Sequence, residues 1–477
     1  MKSLDAEKIE IFRNKHNQIK HGYTIFFMIL ISVENFSTVR IAMDGKIAHV
    51  CNCCLAGAGI LLFAAEICLN FRKYKNWGGI LRFLFMCVCV ISMIVNRKYG
   101  IVNNLKTLCW TAIQFFVLAE IDEDLSIEKI LRYFRQFSEI FSGIWTLGVI
   151  FSLRLFVLMS STKTVLSDST TTILEGFLGG RLYGVFHDPN FASLCSCAVI
   201  IFAICNLILA NKKKKILNIV YHAIVIFLQI SYVILSGSRT SGVCFLAGSF
   251  VITFFLVIKH CFSKPVNICL KVLLSLVCGV FAVMICLLGG HVLKTAYSYV
   301  PGIYASITAD ENKAVSKVSF TRADVVNSDD VSNGRFQIWK DYIKVFKTTP
   351  IVGTSPRNAL ESAVENFPDS FVVKTRHSVH NTYLALFVCT GVLGAAIMLA
   401  WLLLVAIRVL KYLIVNSVKS PNYPVILMLS CIMMIFALAA FPLQFMFFTN
   451  TVIDVIFWVT LGFLMTLIKK GEKKINL

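Results

Sequence analysis

Charge is scarce in this chain. Only 15% of its 477 residues are Asp, Glu, Lys or Arg, against 57% hydrophobic, and the mean hydropathy is +0.75. A soluble domain cannot hide that much apolar surface, so a soluble class is excluded and a polytopic membrane protein remains. Cysteine is missing from one place in particular: none of the 17 falls in the polar stretch 290–380, so no disulfide framework is built there. A cleavable signal is missing too. The first apolar run follows a charged leader and has no small-residue cleavage site, so the first span is expected to stay in the membrane. Finally, no solenoid period recurs and the second half does not mirror the first, which speaks against a transporter made of repeats.

What is there is a series of apolar runs, each near the ~20 residues that cross a hydrocarbon core. They predict spans near 22–39, 47–70, 79–96, 103–120, 137–160, 190–210, 216–235, 242–259, 266–289, 382–408, 424–443 and 450–468. The expected fold is therefore all-α and polytopic, with about twelve transmembrane helices and one large extracytoplasmic loop. It divides into an N-terminal bundle of about nine spans over 1–289, the loop over 290–380, and about three C-terminal spans over 381–477.

The net charge of +20 would suit a nucleic-acid partner, but its placement says otherwise. Basic residues gather at Lys2, Lys8, Arg13, Lys15 and Lys20, at Arg72-Lys73-Lys75, at Lys212–Lys215, at Lys259 and Lys264, at Arg408 and Lys411, and at Lys469 to Lys474. Those are alternate loops, and the positive-inside rule then puts both termini in the cytoplasm. Arg97-Lys98 dissents, falling outside. The excess is a topology signal in contact with membrane lipid, and no nucleic acid is expected.

The polar residues of the outward side carry the chemistry. His377-Ser-Val-His380-Asn381 closes the long loop just before apolar sequence, and a titratable imidazole at the mouth of a membrane helix is a candidate base. Arg181 opens Arg181-Leu-Tyr-Gly184-Val-Phe-His187-Asp188-Pro189-Asn190, Arg239 lies in the turn Ser236-Gly-Ser-Arg239-Thr240, and Arg335 opens Arg335-Phe-Gln-Ile-Trp339. Convergent guanidiniums offer rigid forks of donors suited to a diphosphate. Singly, each arginine reads equally well as a headgroup anchor. From Arg335, Phe336, Trp339, Ile343 and Phe346 recur at helical steps with lysines between, predicting an amphipathic helix that Thr349-Pro350 ends. It can lie on the bilayer with Arg335 at its N-terminal end, or simply cap the bundle.

Two metal readings are weaker. His377 and His380 have no Cys or third His nearby to complete a zinc set, and Asp122-Glu-Asp124 precedes a helical run where acidic residues favour a helix N-terminus. No metal is expected.

The ordered set Arg181 to Asn190, Ser236 to Thr240, Arg335 to Trp339 with Pro350-Ile-Val-Gly353, and His380-Asn381-Thr-Tyr-Leu384 resembles the O-antigen ligase and polymerase superfamily over roughly residues 175–410. The resemblance implies a mostly helical, GT-C-like glycosyltransferase of the bacterial cytoplasmic membrane. Its donor would be an undecaprenyl-diphosphate-linked oligosaccharide, and it would use no cofactor. Residue by residue, it implies that His380 is the general base and that Arg335 and Arg181 bind the diphosphate. Arg239 falls in a motif of less settled role, and is expected to be less sensitive if it ties its turn to nearby carbonyls. Asn190, Trp339, His377 and Asn381 are supporting residues. A flippase and a chain-length regulator are the implied partners.

The acceptor separates a polymerase of capsular or other surface polysaccharide from a ligase that passes glycan to lipid or protein. Lysine supplies 31 of the 46 basic residues, a hint of an AT-rich genome, which tilts the reading to the polymerase. A flippase or exporter of the same lipid-linked glycan is the rival. It would need paired charges at mid-membrane, and the in-span candidates Glu66 and Arg154 both lie near helix ends, where snorkelling or headgroup pairing suffices.

Overall fold

In a membrane every backbone polar group must be satisfied within the protein, so apolar runs of this length form helices. The computed structural model describes residues 2–43, 46–166, 172–210, 215–262, 267–308, 317–322, 332–415 and 422–475. Lys212–Lys214 and Lys264 of the expected basic loops lie outside them. The helices are α1 Lys2–Val33, α2 Ser37–Ala42, α3 Lys46–Asn70, α4 Trp77–Val95, α5 Val102–Ile113, α6 Ile127–Val157, α7 Pro189–Ile208, α8 Lys215–Leu235, α9 Arg239–Phe262 and α10 Ile268–Thr308. After them come α11 Arg335–Thr348, α12 Ala359–Asn366, α13 Phe371–Thr375, α14 Thr382–Val415, α15 Tyr423–Ala439 and α16 Val452–Ile475.

Nine of these, among the described residues, are long and apolar enough to cross a membrane: α3, α4, α6 to α10, α14 and α16. The other three expected spans fall on shorter or more polar elements. The run 22–39 ends at Val33, 103–120 is divided between α5 and a π-helical turn Gln114–Leu118, and 424–443 becomes α15, a shorter apolar helix. The chain is a mostly helical, multi-pass membrane protein.

Three departures from the expected fold shape the site. First, the chain is not wholly helical. An antiparallel sheet of β1 Ser161–Val165, β2 Thr172–Leu178 and β3 Arg181–Gly184 follows α6, in the order β1-β2-β3. Its short Thr- and Val-bearing runs are too brief for a span and end in Gly179-Gly180, a hairpin signal. Second, position 290 falls inside α10, which runs on through Pro301 to Thr308 for 41 residues. At ~1.5 Å per residue that is about 60 Å, so the end of α10 stands clear of a ~30 Å core.

Third, α14 is broken at Gly391 (φ 64°), and the peptide groups freed there bond to the loop. Val392 N donates to Pro350 O (2.8 Å), and Thr354 N and Ser355 N donate to Val388 O and Cys389 O (2.9 and 3.0 Å). A Cβ on Gly353 would come within 2.4 Å of the Cys389 carbonyl carbon, and one on Gly391 within 2.2 Å of Ile351. The segment Pro350–Gly353 is thus a backbone clamp that fixes the loop to the membrane helix preceding the break.

The amphipathic helix exists as α11, but its buried stripe is offset by one position from the expected one. Ile338, Asp341, Tyr342 and Val345 are buried, Ile338, Tyr342 and Val345 in a small core with Val372, Val379 and Val388, while Phe336 and Ile343 are exposed. The dissenting Lys98 lies at the same end as the loop, where its Nζ meets Glu365 of α12 at 2.6 Å.

Candidate active site

The site begins at the hairpin. Gly179 and Gly180 take φ of 56° and 76°, as a two-residue turn with both central residues left-handed requires, and pair Leu178 with Arg181. Arg181 therefore opens β3 with its side chain buried. Its Nε donates to Ser236 O (3.0 Å) and its Nη2 to Asn190 Oδ1 (2.9 Å). Asp188 caps α7 by accepting from Asn190 N at 2.7 Å, with Pro189 in the first turn, where its missing N–H costs nothing.

The turn Ser236–Ser238 joins α8 to α9 and is held by hydroxyls: Ser238 Oγ and Ser193 Oγ meet Ser241 Oγ at 3.1 and 2.6 Å. Arg239, the first residue of α9, is exposed. Arg181 and Arg322, rather than Arg239, bond the carbonyls of this turn; Arg322 Nη1 donates to Gly237 O at 3.2 Å.

Arg335 is the first residue of α11, following Gly334 at φ 82°. Its guanidinium is half-buried and feels Arg239, Arg322 and Arg181, with Asp188 the one carboxylate in range among the described residues. Burial first, and then those three cations, lower its pKa against the opposing pull of Asp188. Neither Arg335 nor Arg239 forms a salt bridge among the described residues.

His380 stands where the loop re-enters the membrane, at φ 49°, a left-handed backbone that costs an L-residue roughly 1–2 kcal/mol and tends to persist at functional positions. The surrounding structure holds it there. Val379 before it is in the α11 core, and Asn381 after it caps α14 by accepting from Leu384 N at 2.9 Å. Burial pushes the imidazole pKa down to about 4, helped by His377 and Arg335 and opposed by Asp188. His380 is accordingly a neutral acceptor at pH 7. His377 is exposed, its ring 5.6 Å from that of His380, and its carbonyl accepts from Tyr342 Oη at 2.7 Å.

The fold therefore brings Arg181, Arg239, Arg335 and His380 to one place, and adds Asp188 and Arg322, which sequence reasoning did not single out for the site. Asn190 and Asn381 turn out to hold an arginine and a helix end. Trp339 lies one turn beyond Arg335, packed against Phe336 and Phe441 at 5.6 and 5.3 Å, with Nε1 buried and unpartnered. Among the described residues no three His, Cys, Asp or Glu side chains converge as metal ligands. The triplet Asp122-Glu-Asp124 does not cap α6, because Ser126 does, its Oγ accepting from Lys129 N. Instead those acids bind Asn17, Lys469 and Arg13.

Residues 224–399 match the family described as O-antigen ligase. The match covers less than half of the chain and makes that part similar to the O-antigen ligase family. The matched segment runs from α8 into α14 and contains Arg239, Arg322, Arg335, His377 and His380; Arg181 and Asn190 lie upstream and are joined to it by the bonds just described. No curated protein matches the chain. That similarity supports glycan transfer of the O-antigen ligase type, with a lipid-linked oligosaccharide as the substrate class it suggests.

Proposed function

We propose that the chain is a metal-independent, inverting glycosyltransferase that polymerises lipid-linked repeat units on the outer face of the bacterial cytoplasmic membrane, with both termini cytoplasmic. The observation that carries this reading is a neutral imidazole beside the half-buried guanidinium of Arg335, which forms no salt bridge among the described residues. A diphosphate is an anion that the bidentate donors of such an arginine fit.

In this reading His380 takes the proton from the acceptor hydroxyl as that oxygen attacks the anomeric carbon. The bond from that carbon to the diphosphate oxygen breaks, its electron pair leaves with the undecaprenyl diphosphate, and attack from the opposite face inverts the centre. Arg335, Arg181 and Arg239 stabilise the charge that gathers on the leaving group. Burial, His377 and Arg335 hold the His380 pKa at about 4. Diphosphate beside Arg335 offsets one of the causes of that depression, so the bound donor strengthens the base when it is needed.

The test is an in vitro reaction with lipid-diphosphate repeat units, in EDTA and with added Mg²⁺, reading chain length and anomeric configuration. Inverted polymer formed in EDTA is expected; dependence on divalent metal sinks the mechanism. A single glycan transferred to lipid or protein makes the chain a ligase. Movement of lipid-linked glycan without new glycosidic bonds makes it an exporter. Impermeant labelling of a single cysteine near 320 in intact cells checks the side of the membrane, and co-purification checks a flippase and chain-length regulator as partners.

A further inference from the structure

A cavity of about 490 Å³ opens at the end of the bundle away from the loop, between the start of α4, the later turns of α14 and the middle of α16. Its volume is that of a small-molecule site. Along α14, Trp401, Leu404, Val405 and Arg408 recur at three- and four-residue steps and line it together. Trp77 of α4 and Leu404 are exposed on helices long and apolar enough to span, so this wall opens sideways toward hydrocarbon. The polar lining consists of Lys73, Arg82, Arg408, Lys469, Glu120 and Glu123. Each of those cations meets a carboxylate. Lys73 and Arg82 meet Glu120 at 2.6 and 2.7 Å, Arg408 takes Glu472 through Nε and Nη2 at 3.2 and 2.5 Å, and Lys469 takes Glu123. One polar group differs. Trp401 is 5% exposed, and its Nε1–H has no hydrogen-bond partner among the described residues. A Cβ on Gly78, which also lines the cavity, would stand 3.6 Å from that nitrogen, so the glycine leaves the donor uncovered.

A paired cation is compensated without being saturated. Arg408 bonds Glu472 along one edge of its guanidinium and keeps the Nη1 edge, and Lys469 has three ammonium hydrogens for one carboxylate. Because these pairs are already made, a ligand of one sign would unbalance them in low dielectric, whereas a ligand carrying both signs adds no net charge. We propose that this cavity binds one zwitterionic phospholipid with a primary ammonium headgroup, of the phosphatidylethanolamine class, from the leaflet away from the loop. The phosphate lies between Arg408 and Lys469, and the ammonium lies against Glu123. An ester carbonyl accepts from Trp401 Nε1, two turns or about 10 Å deeper along α14. The acyl chains leave past Leu404 and Trp77. The site is separate from the loop end and does not depend on the donor reading above.

The test uses the full chain in phosphatidylcholine nanodiscs carrying equal small fractions of phosphatidylethanolamine and phosphatidylglycerol, with native mass spectrometry counting the lipid retained on release. The unaltered chain should retain one phosphatidylethanolamine, favoured about three- to fivefold over phosphatidylglycerol, the reach of one partly exposed ion pair. Trp401→Phe keeps a ring and removes the donor, and should weaken retention about three- to tenfold. The paired variant Arg408→Gln with Glu472→Gln removes a cation together with its partner, keeps the charge balance, and should weaken retention about ten- to a hundredfold. Lys98→Gln, at the loop end, should retain lipid as the unaltered chain does. Retention within about twofold in either cavity variant overturns the inference, and so does equal retention of the two lipids or a preference for phosphatidylglycerol. Displacement of the lipid by an equal concentration of soluble glycerophosphoethanolamine overturns the lipid assignment in favour of a free phosphate ester. Melting temperatures in detergent separate misfolding from lost contact, and if one cavity variant unfolds the other decides.

Discussion

The two ends of this bundle handle buried charge in opposite ways. At the end away from the loop, Glu66 is wholly buried and met by His16 and Lys20 at 2.9 and 2.8 Å, Lys73 at 3.9 Å and Tyr74 Oη at 2.9 Å. Glu120 likewise takes Lys73 at 2.6 Å and Arg82 at 2.7 Å. There the cations outnumber the carboxylates, but each has a carboxylate in contact, which is how charge survives in low dielectric. At the loop end Arg335 and Arg239 form no salt bridge among the described residues, and Asp188 is the single carboxylate in range of Arg335. Paired charge knits helices together. In the proposed reading Arg335 and Arg239, which have no such pairing among the described residues, take a ligand from outside.

The largest expected effect breaks the loop end alone. His380→Ala should cut polymer formation by about 10²–10⁴, the usual worth of a general base, with protein abundance near that of the unaltered chain. His377→Ala should be milder, because its exposed ring is reached through no fixed contact with the arginines. Normal chains on polysaccharide gels from His380→Ala would remove the base. Next comes the opposite end: Glu66→Gln leaves Lys20, His16 and Lys73 short of an anion and should lower stability by about 3–5 kcal/mol. Unfolding of the purified protein measures it, and the KM of the surviving fraction should not move. A changed KM with unchanged stability would make Glu66 part of a transport path and revive the exporter.

Smaller than either is the exchange of fork for point charge. Arg335→Lys and Arg181→Lys should each lower the rate about 10- to 100-fold, since one ammonium cannot reproduce a bidentate grip. Arg181→Lys should also loosen the turn, because its guanidinium bonds both Ser236 O and Asn190 Oδ1. Full activity in both lysine variants would show that the leaving group is handled elsewhere.

How much of this was legible beforehand follows the same division. Long apolar runs announce helices, and an arginine or histidine bordering one announces a membrane-edge site, so Arg181, Arg239, Arg335 and His380 could be read from type and position. The pairing of Glu66 could not: its partners His16 and Lys20 are 50 and 46 residues away and belong to a helix whose charges read as a topology signal. Snorkelling to headgroups was the expectation, and protein cations take that place. Arg322 had no periodicity to mark it, and only the packing of Phe320 on Phe156 and Phe177 brings it home. The break at Gly391 was hidden because a run of apolar residues looks the same whether its helix is continuous or clamped by Pro350–Gly353 from the loop.

The finest distinction between the ends concerns the proton. His16 sits against a carboxylate, whereas His380 sits against Arg335 and His377, with Asp188 pulling the other way and burial the largest influence. The folded pKa of His380, about 4, lies below its ordinary 6.5. Its neutral form therefore favours the folded state above pH 6.5, and that contribution is lost as pH falls from there through about 4. Arg335→Gln takes away one cation that disfavours the imidazolium, so the His380 pKa should rise, though not to 6.5, because burial and His377 remain. Histidine ring NMR titration in the two proteins reads the shift directly, and acid unfolding should set in over a narrower pH range in the variant. A pKa that stays put or falls would mean that the Arg335 guanidinium does not face the imidazole, and the loop end would then lack the cation and base juxtaposition that sets it apart from the paired end.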